Sequence, residues 1–80
     1  MNTQKAIMLR ILELCESKKI TVNKLGTISG VTQSTINNIV SGRNRSTTVS
    51  TIKKLCDGFE ISLIDFFDNE LFENLEQELE

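Results

Sequence analysis

Apolar residues recur along this chain with helical spacing. In residues 3–17, Ile7, Ile11, Leu14 and Cys15 fall at i, i+4, i+7 and i+8, and Met8 and Leu12 widen that face. Asn2 or Thr3 can cap the start, and Lys18-Lys19 sits in the last turn, where the helix dipole favours cations. A second helix is predicted over 22–29, capped by Thr21 and ended by Gly30, with Val22, Leu25 and Ile28 as its inner face. A third runs over 33–41 from Thr32, with Ile36, Ile39 and Val40 inward and Gly42 as a left-handed end. Arg43-Asn44-Arg45-Ser46-Thr47 has no periodicity and reads as a loop. Thr48 caps a fourth helix over 49–58, with Val49, Ile52, Leu55 and Cys56 inward and Gly58 ending it. Ser62 caps a fifth, which starts at Leu63 and can continue into the tail. No strand-like alternation persists, so the fold class is all-α.

Helix two, the break at Gly30 and helix three make a short helix-turn-helix unit. Such a turn requires Gly where the backbone takes positive φ. It also requires a very small residue where the helices touch, and Gly26 supplies one. Gly inside a helix costs about 1 kcal/mol relative to Ala, so close helix approach is its reason for being there. Helix three carries Gln33, Ser34, Thr35, Asn37 and Asn38 on its outer face. These are mediocre helix formers, with no acid among them. Gln and Asn can bond bidentately to adenine in a major groove, and Ser or Thr can serve either base type. Arg43 and Arg45, beside Asn44 and three hydroxyl residues, are placed to grip phosphates next to such a helix.

Charge sharpens that reading. The formal net charge is −2, but residues 1–64 hold all nine Lys and Arg against four acids, a balance of +5. Residues 65–80 hold seven acids and no base, a balance of −7. A basic body with an acidic tail implies an anionic partner for the body. Histidine is absent, which removes the commonest general base and metal ligand. Cys15 and Cys56 cannot make a four-ligand zinc site, and with no secretory signal they read as buried thiols rather than a disulfide. No nucleophile–base pair is present, so an enzyme is not expected, nor is a cofactor, a metal or a small-molecule ligand. With 80 residues the chain is one small domain, able to bury about 60% of its unfolded surface. No apolar run approaches the ~18 residues of a membrane span.

The chain resembles the lambda-repressor-like helix-turn-helix domains, the Cro/C1-type or XRE family of transcriptional regulators. The resemblance covers roughly residues 5–67. It rests on Thr21-Val22-Asn23-Lys24-Leu25-Gly26, on Gly30-Val31-Thr32-Gln33-Ser34-Thr35-Ile36-Asn37-Asn38-Ile39, on Ser41-Gly42-Arg43, on Thr48 to Cys56, and on the ending Phe59 to Phe67. It implies a compact five-helix fold whose third helix is the recognition helix. By position it assigns Gln33, Ser34, Asn37 and Asn38 to base contacts, and Thr32, Arg43, Asn44 and Arg45 to phosphate contacts. The chain departs from the family in three places. Val22 stands where a phosphate-anchoring Gln is frequent, Gly26 where Ala is usual, and no Pro follows the loop near Thr47, which leaves the loop looser.

The expectation is a cytoplasmic DNA-binding regulator of bacterial or phage type, a repressor, acting as a homodimer on a two-fold symmetric operator in double-stranded DNA. The alternative is a protein-interaction module, such as an antitoxin-like partner that meets a basic protein through its acidic tail. Residues 1–67 form the expected DNA-binding domain and 68–80 an acidic amphipathic C-terminal helix or tail. Leu71, Phe72, Leu75 and Leu79 make an apolar stripe at 3–4 spacing there, and self-association through that stripe is expected.

Overall fold

Five short polar side chains start the five helices of the computed structural model, which describes residues 1–79. Asn2 accepts a hydrogen bond from the Lys5 backbone N–H (2.8 Å) and opens α1, Thr3–Lys18. Thr21 accepts from Lys24 (3.0 Å) and opens α2, Val22–Ser29. Thr32 accepts from Thr35 (3.3 Å) and opens α3, Gln33–Val40. Thr48 accepts from Thr51 (3.1 Å) and opens α4, Val49–Phe59, and Ser62 accepts from Asp65 (3.0 Å) and opens α5, Leu63–Phe67. Each cap satisfies a backbone donor that has no partner within its own helix. Among the described residues there is no strand, so the architecture is all-helical as expected.

The core is a single apolar cluster. Ile7, Ile11 and Leu14 of α1 meet Leu25 of α2, Ile36 and Ile39 of α3, Ile52, Leu55 and Phe59 of α4 and Phe66 of α5. Cys15 and Cys56 lie in it as free thiols. Burial pushes both thiols up, and at Cys56 the neighbouring Asp57 carboxylate adds to the rise.

Three inner-face expectations and one helix end change. Leu12 is exposed, because the buried face of α1 is Ala6, Ile7, Ile11, Leu14 and Cys15. Ile28 is exposed, because the inward stripe of α2 is Val22, Leu25, Gly26 and Ser29, and Ile28 lies roughly 100° round the helix from it. Val49 is exposed because it occupies the first turn of α4, beyond the edge of the core. Gly58 does not end α4. The helix runs on to Phe59, and Glu60 takes the left-handed conformation at φ 63°. Gly58 instead lets α4 pass close to the end of α2: a Cβ there would stand 3.0 Å from Ser29 Cβ and 3.1 Å from Ser29 Cα.

Arg10 ties the end of the fold to its beginning. Its Nε donates to the Phe66 carbonyl (2.7 Å) and its second guanidinium nitrogen to the Asp65 carbonyl (2.8 Å), so α1 caps the last turn of α5. Glu13 accepts from Arg10 (2.6 Å) and from the Asn69 side-chain amide (2.9 Å).

The tail is not a continuation of α5. One 3-10 turn, Glu70–Phe72, redirects the chain, and residues 73–79 are not helical. Phe72 packs on the core and edge-on to Phe67, with ring centroids 4.9 Å apart. Leu71 and Leu75 are half-buried against the same chain, and Leu79 is exposed. The Glu76 N–H then donates to the Met1 carbonyl (3.1 Å), which brings the tail beside the start of α1.

Candidate nucleic-acid interface

The turn between α2 and α3 is set by Gly30, whose φ of 74° fits a residue without Cβ. Its N–H donates back to the Gly26 carbonyl (3.1 Å), and Val31 enters the core immediately after it. Ile36 and Ile39 then hold one face of α3 against the core. The opposite face is fixed by that anchoring.

On that outer face Ser34 and Asn37 are exposed, and Gln33, Thr35 and Asn38 are half-buried. Gln33 and Asn37 come together: the Gln33 amide nitrogen donates to the Asn37 side-chain oxygen (3.4 Å). Ser34 stands free on the same surface. Asn38 is committed elsewhere. Its side-chain oxygen accepts from Arg43 Nε (3.2 Å), and its carbonyl accepts from the Asn44 backbone N–H (3.0 Å). Asn38 thus shapes the loop that follows α3.

That loop is held at both ends. Gly42 turns it with φ 83°. Asn44 donates to the Ser46 carbonyl (3.2 Å), and the Thr47 hydroxyl is paired with the Gln4 amide (2.8 Å) on α1. The Gln4–Thr47 pair ties the end of the loop to α1 where no Pro is present. Arg43 and Arg45 are exposed on it, and the Thr32 hydroxyl is engaged in capping α3. Lys5 lies across a concavity from Ser41, Gly42 and Asn44, so α1 adds a cation beside the loop. Nothing in the spacing of residues 3–17 signals this, because it depends on how α1 lies across the loop. Val22, at the start of α2, packs against the core. None of α2, α3 and α4 carries an acid in its first turn. The positive ends of these dipoles therefore carry no carboxylate from their own first turns.

The geometry is that of two short helices joined by a tight turn, the second held by its apolar face and polar outside. The model of the family described as "Helix-turn-helix" matches residues 11–66. The chain belongs to the helix-turn-helix family. The solved structure titled "Crystal structure of the prophage Lp1 protein 11" is similar over 94% of this chain and 100% of that one, at 33% identity and a TM-score of 0.81. Among curated proteins none matches the chain. Family and fold make this a DNA-binding transcription regulator of the Cro/C1 type. Among the described residues no helix is long and apolar enough to cross a membrane.

Proposed function

We propose that the chain represses transcription in the cytoplasm by occupying a two-fold symmetric operator as a homodimer, with α3 in the major groove. The observation that carries the reading is the outer face of α3. Gln33, Ser34 and Asn37 form a surface of amides and a hydroxyl without acids, backed by Ile36 and Ile39 in the core. Such groups distinguish base edges by their donor and acceptor patterns. Arg43 and Arg45 with Thr32 and Asn44 serve the phosphates that flank the groove, and Asn38 contributes through Arg43 rather than through a base. Residues 1–67 act as the DNA-binding domain and 68–80 as its acidic appendage. Occupancy of a site that a polymerase needs is enough to repress.

The homodimer has its support in α4 and α5. Val49 (65% exposed), Ile64 (80%) and Phe67 (38%) form one apolar patch with Leu63. The tail stripe offers a partner less, because Phe72 is packed on its own core. The chain measures 34 × 24 × 20 Å, room for one half-site, and half-sites repeat at roughly 34–36 Å. Selection of bound sequences from random duplex DNA tests the reading. A two-fold symmetric consensus is expected, and no enrichment would overturn it.

A further inference from the structure

We propose that the acidic tail is an electrostatic strap, which closes along the flank of the DNA-facing loop and lowers the affinity of the chain for DNA. This rests on the DNA-binding reading above and adds regulation to it.

The strap has an anchor, a path and a destination. The anchor is Phe72, held by the core and by the rings of Phe66 and Phe67, with Asn69 fastened to Glu13. The path is set by the 3-10 turn and by the backbone bond from Glu76 to the Met1 carbonyl. The destination is a shallow concavity shared by Glu76, Gln77, Glu78 and Leu79 with Asn2, Gln4 and Arg45. Gln4 is the residue that holds Thr47, so the carboxylates stand beside the loop that carries both arginines.

No apolar burial holds the last residues there, because Leu79 is 82% exposed. What holds them is the Glu76 backbone bond to Met1, the Glu76 carboxylate 3.6 Å from the N-terminal ammonium, and the general attraction of a tail of −7 for a body of +5. Fixed carboxylates within about 8–10 Å of a phosphate track repel it, and salt weakens that repulsion. Exposed ion pairs are weak, so the closed position is easily displaced. The strap therefore acts as a threshold: low-affinity DNA is rejected, and DNA with enough specific contacts displaces the tail.

The experiment uses the full chain with Glu76→Gln and Glu78→Gln together, which leaves the Phe72 anchor intact. A control carries the same charge change at the far ends of α1 and α4, Glu16→Gln with Glu60→Gln. Binding to a random-sequence duplex is followed by fluorescence anisotropy at 50 mM and 300 mM salt. The tail variant is expected to bind about three- to tenfold more tightly than the parent at 50 mM, with the ratio falling toward one at 300 mM. The control is expected to gain less than twofold. An equal gain in both variants would mean that net charge acts without a strap, and no gain in the tail variant would mean that the carboxylates do not reach the DNA path. Either result overturns the strap while leaving DNA binding standing. If no protein binds duplex DNA at 50 mM, the DNA-binding reading fails and the strap with it.

Discussion

The side-chain oxygen of Gln33 lies over Gly26 so closely that a Cβ on Gly26 would stand 2.7 Å from it. The same Cβ would meet Ile36 Cδ1 and the Val31 carbonyl at 3.4 Å, which is ordinary contact. Gly26 thus makes room for the end of one flexible side chain, and that side chain is the first of the outer face of α3. Gly26→Ala should leave stability unchanged or raise it by up to about 1 kcal/mol through helix propensity, while it pushes the Gln33 amide off α2. Gly26→Leu should cost about 1–3 kcal/mol by overpacking against Ile36 and Val31. Denaturant midpoints of both variants check this, and a Leu variant as stable as the parent would show that the helices are not in contact here.

Base readout is expected to fall on the Gln33–Asn37 pair. Gln33→Ala and Asn37→Ala should each weaken operator binding by about 1–3 kcal/mol and leave binding to random DNA almost unchanged. Because the two side chains are bonded to each other, their effects should not add, and a double variant measures the coupling. Equal losses on operator and random DNA would refute base reading.

Phosphate contacts should announce themselves through salt. Arg43→Ala and Arg45→Ala should weaken binding to every sequence alike and lower the salt slope by about 1 each. Asn38→Ala, which releases Arg43 from its partner, should reduce affinity without changing that slope. Titrations at several salt concentrations separate the cases.

Much of this was legible in the sequence because it is local. A capping hydroxyl bonds a backbone N–H three residues on, so Thr21, Thr32, Thr48 and Ser62 announce their helices without knowledge of the rest of the fold. The glycine at the turn and the outer face of α3 are equally short-range. What escaped depends on side-chain contacts that helical spacing does not encode. The spacing of Leu71, Leu75 and Leu79 suggests a helix, but a segment with seven acids and no base repels itself along a helix, and the rings of Phe66 and Phe67 capture Phe72 first. Arg10 looks like one more surface cation, yet its acceptors are carbonyls more than fifty residues away. The Asn38–Arg43 bond is equally invisible to periodicity, although only five residues separate its partners.

Arg10→Ala should therefore behave as a core defect. It leaves the Phe66 and Asp65 carbonyls without their charged donor, and the loss is expected to be about 1.5–3 kcal/mol of folding stability. Arg10→Lys should restore only part of it, because one ammonium cannot reproduce the fork. Thermal unfolding in the absence of DNA measures both.

The patch on α4 and α5 gives the converse case. Ile64 is so exposed that Ile64→Asp should leave monomer stability within about 0.5 kcal/mol. If the patch joins two copies, the same change should abolish dimers in sedimentation and reduce operator affinity with them. A dimer that survives Ile64→Asp would place its interface elsewhere.

The near-contact of Gly58 with Ser29 has a consequence for how recognition is shared between the two molecules. It brings the backbone of α4 directly onto Ser29, the last residue before the turn, with only the small Ser29 side chain at the contact. If α3 faces DNA as proposed, so direct an approach favours α3, the turn and α4 shifting together rather than adjusting singly to an imperfect site. The adjustment must come from the duplex. Operators whose central steps twist and bend cheaply should be favoured over stiff ones of identical edge sequence, so part of this regulator's selectivity should lie in base pairs it never touches.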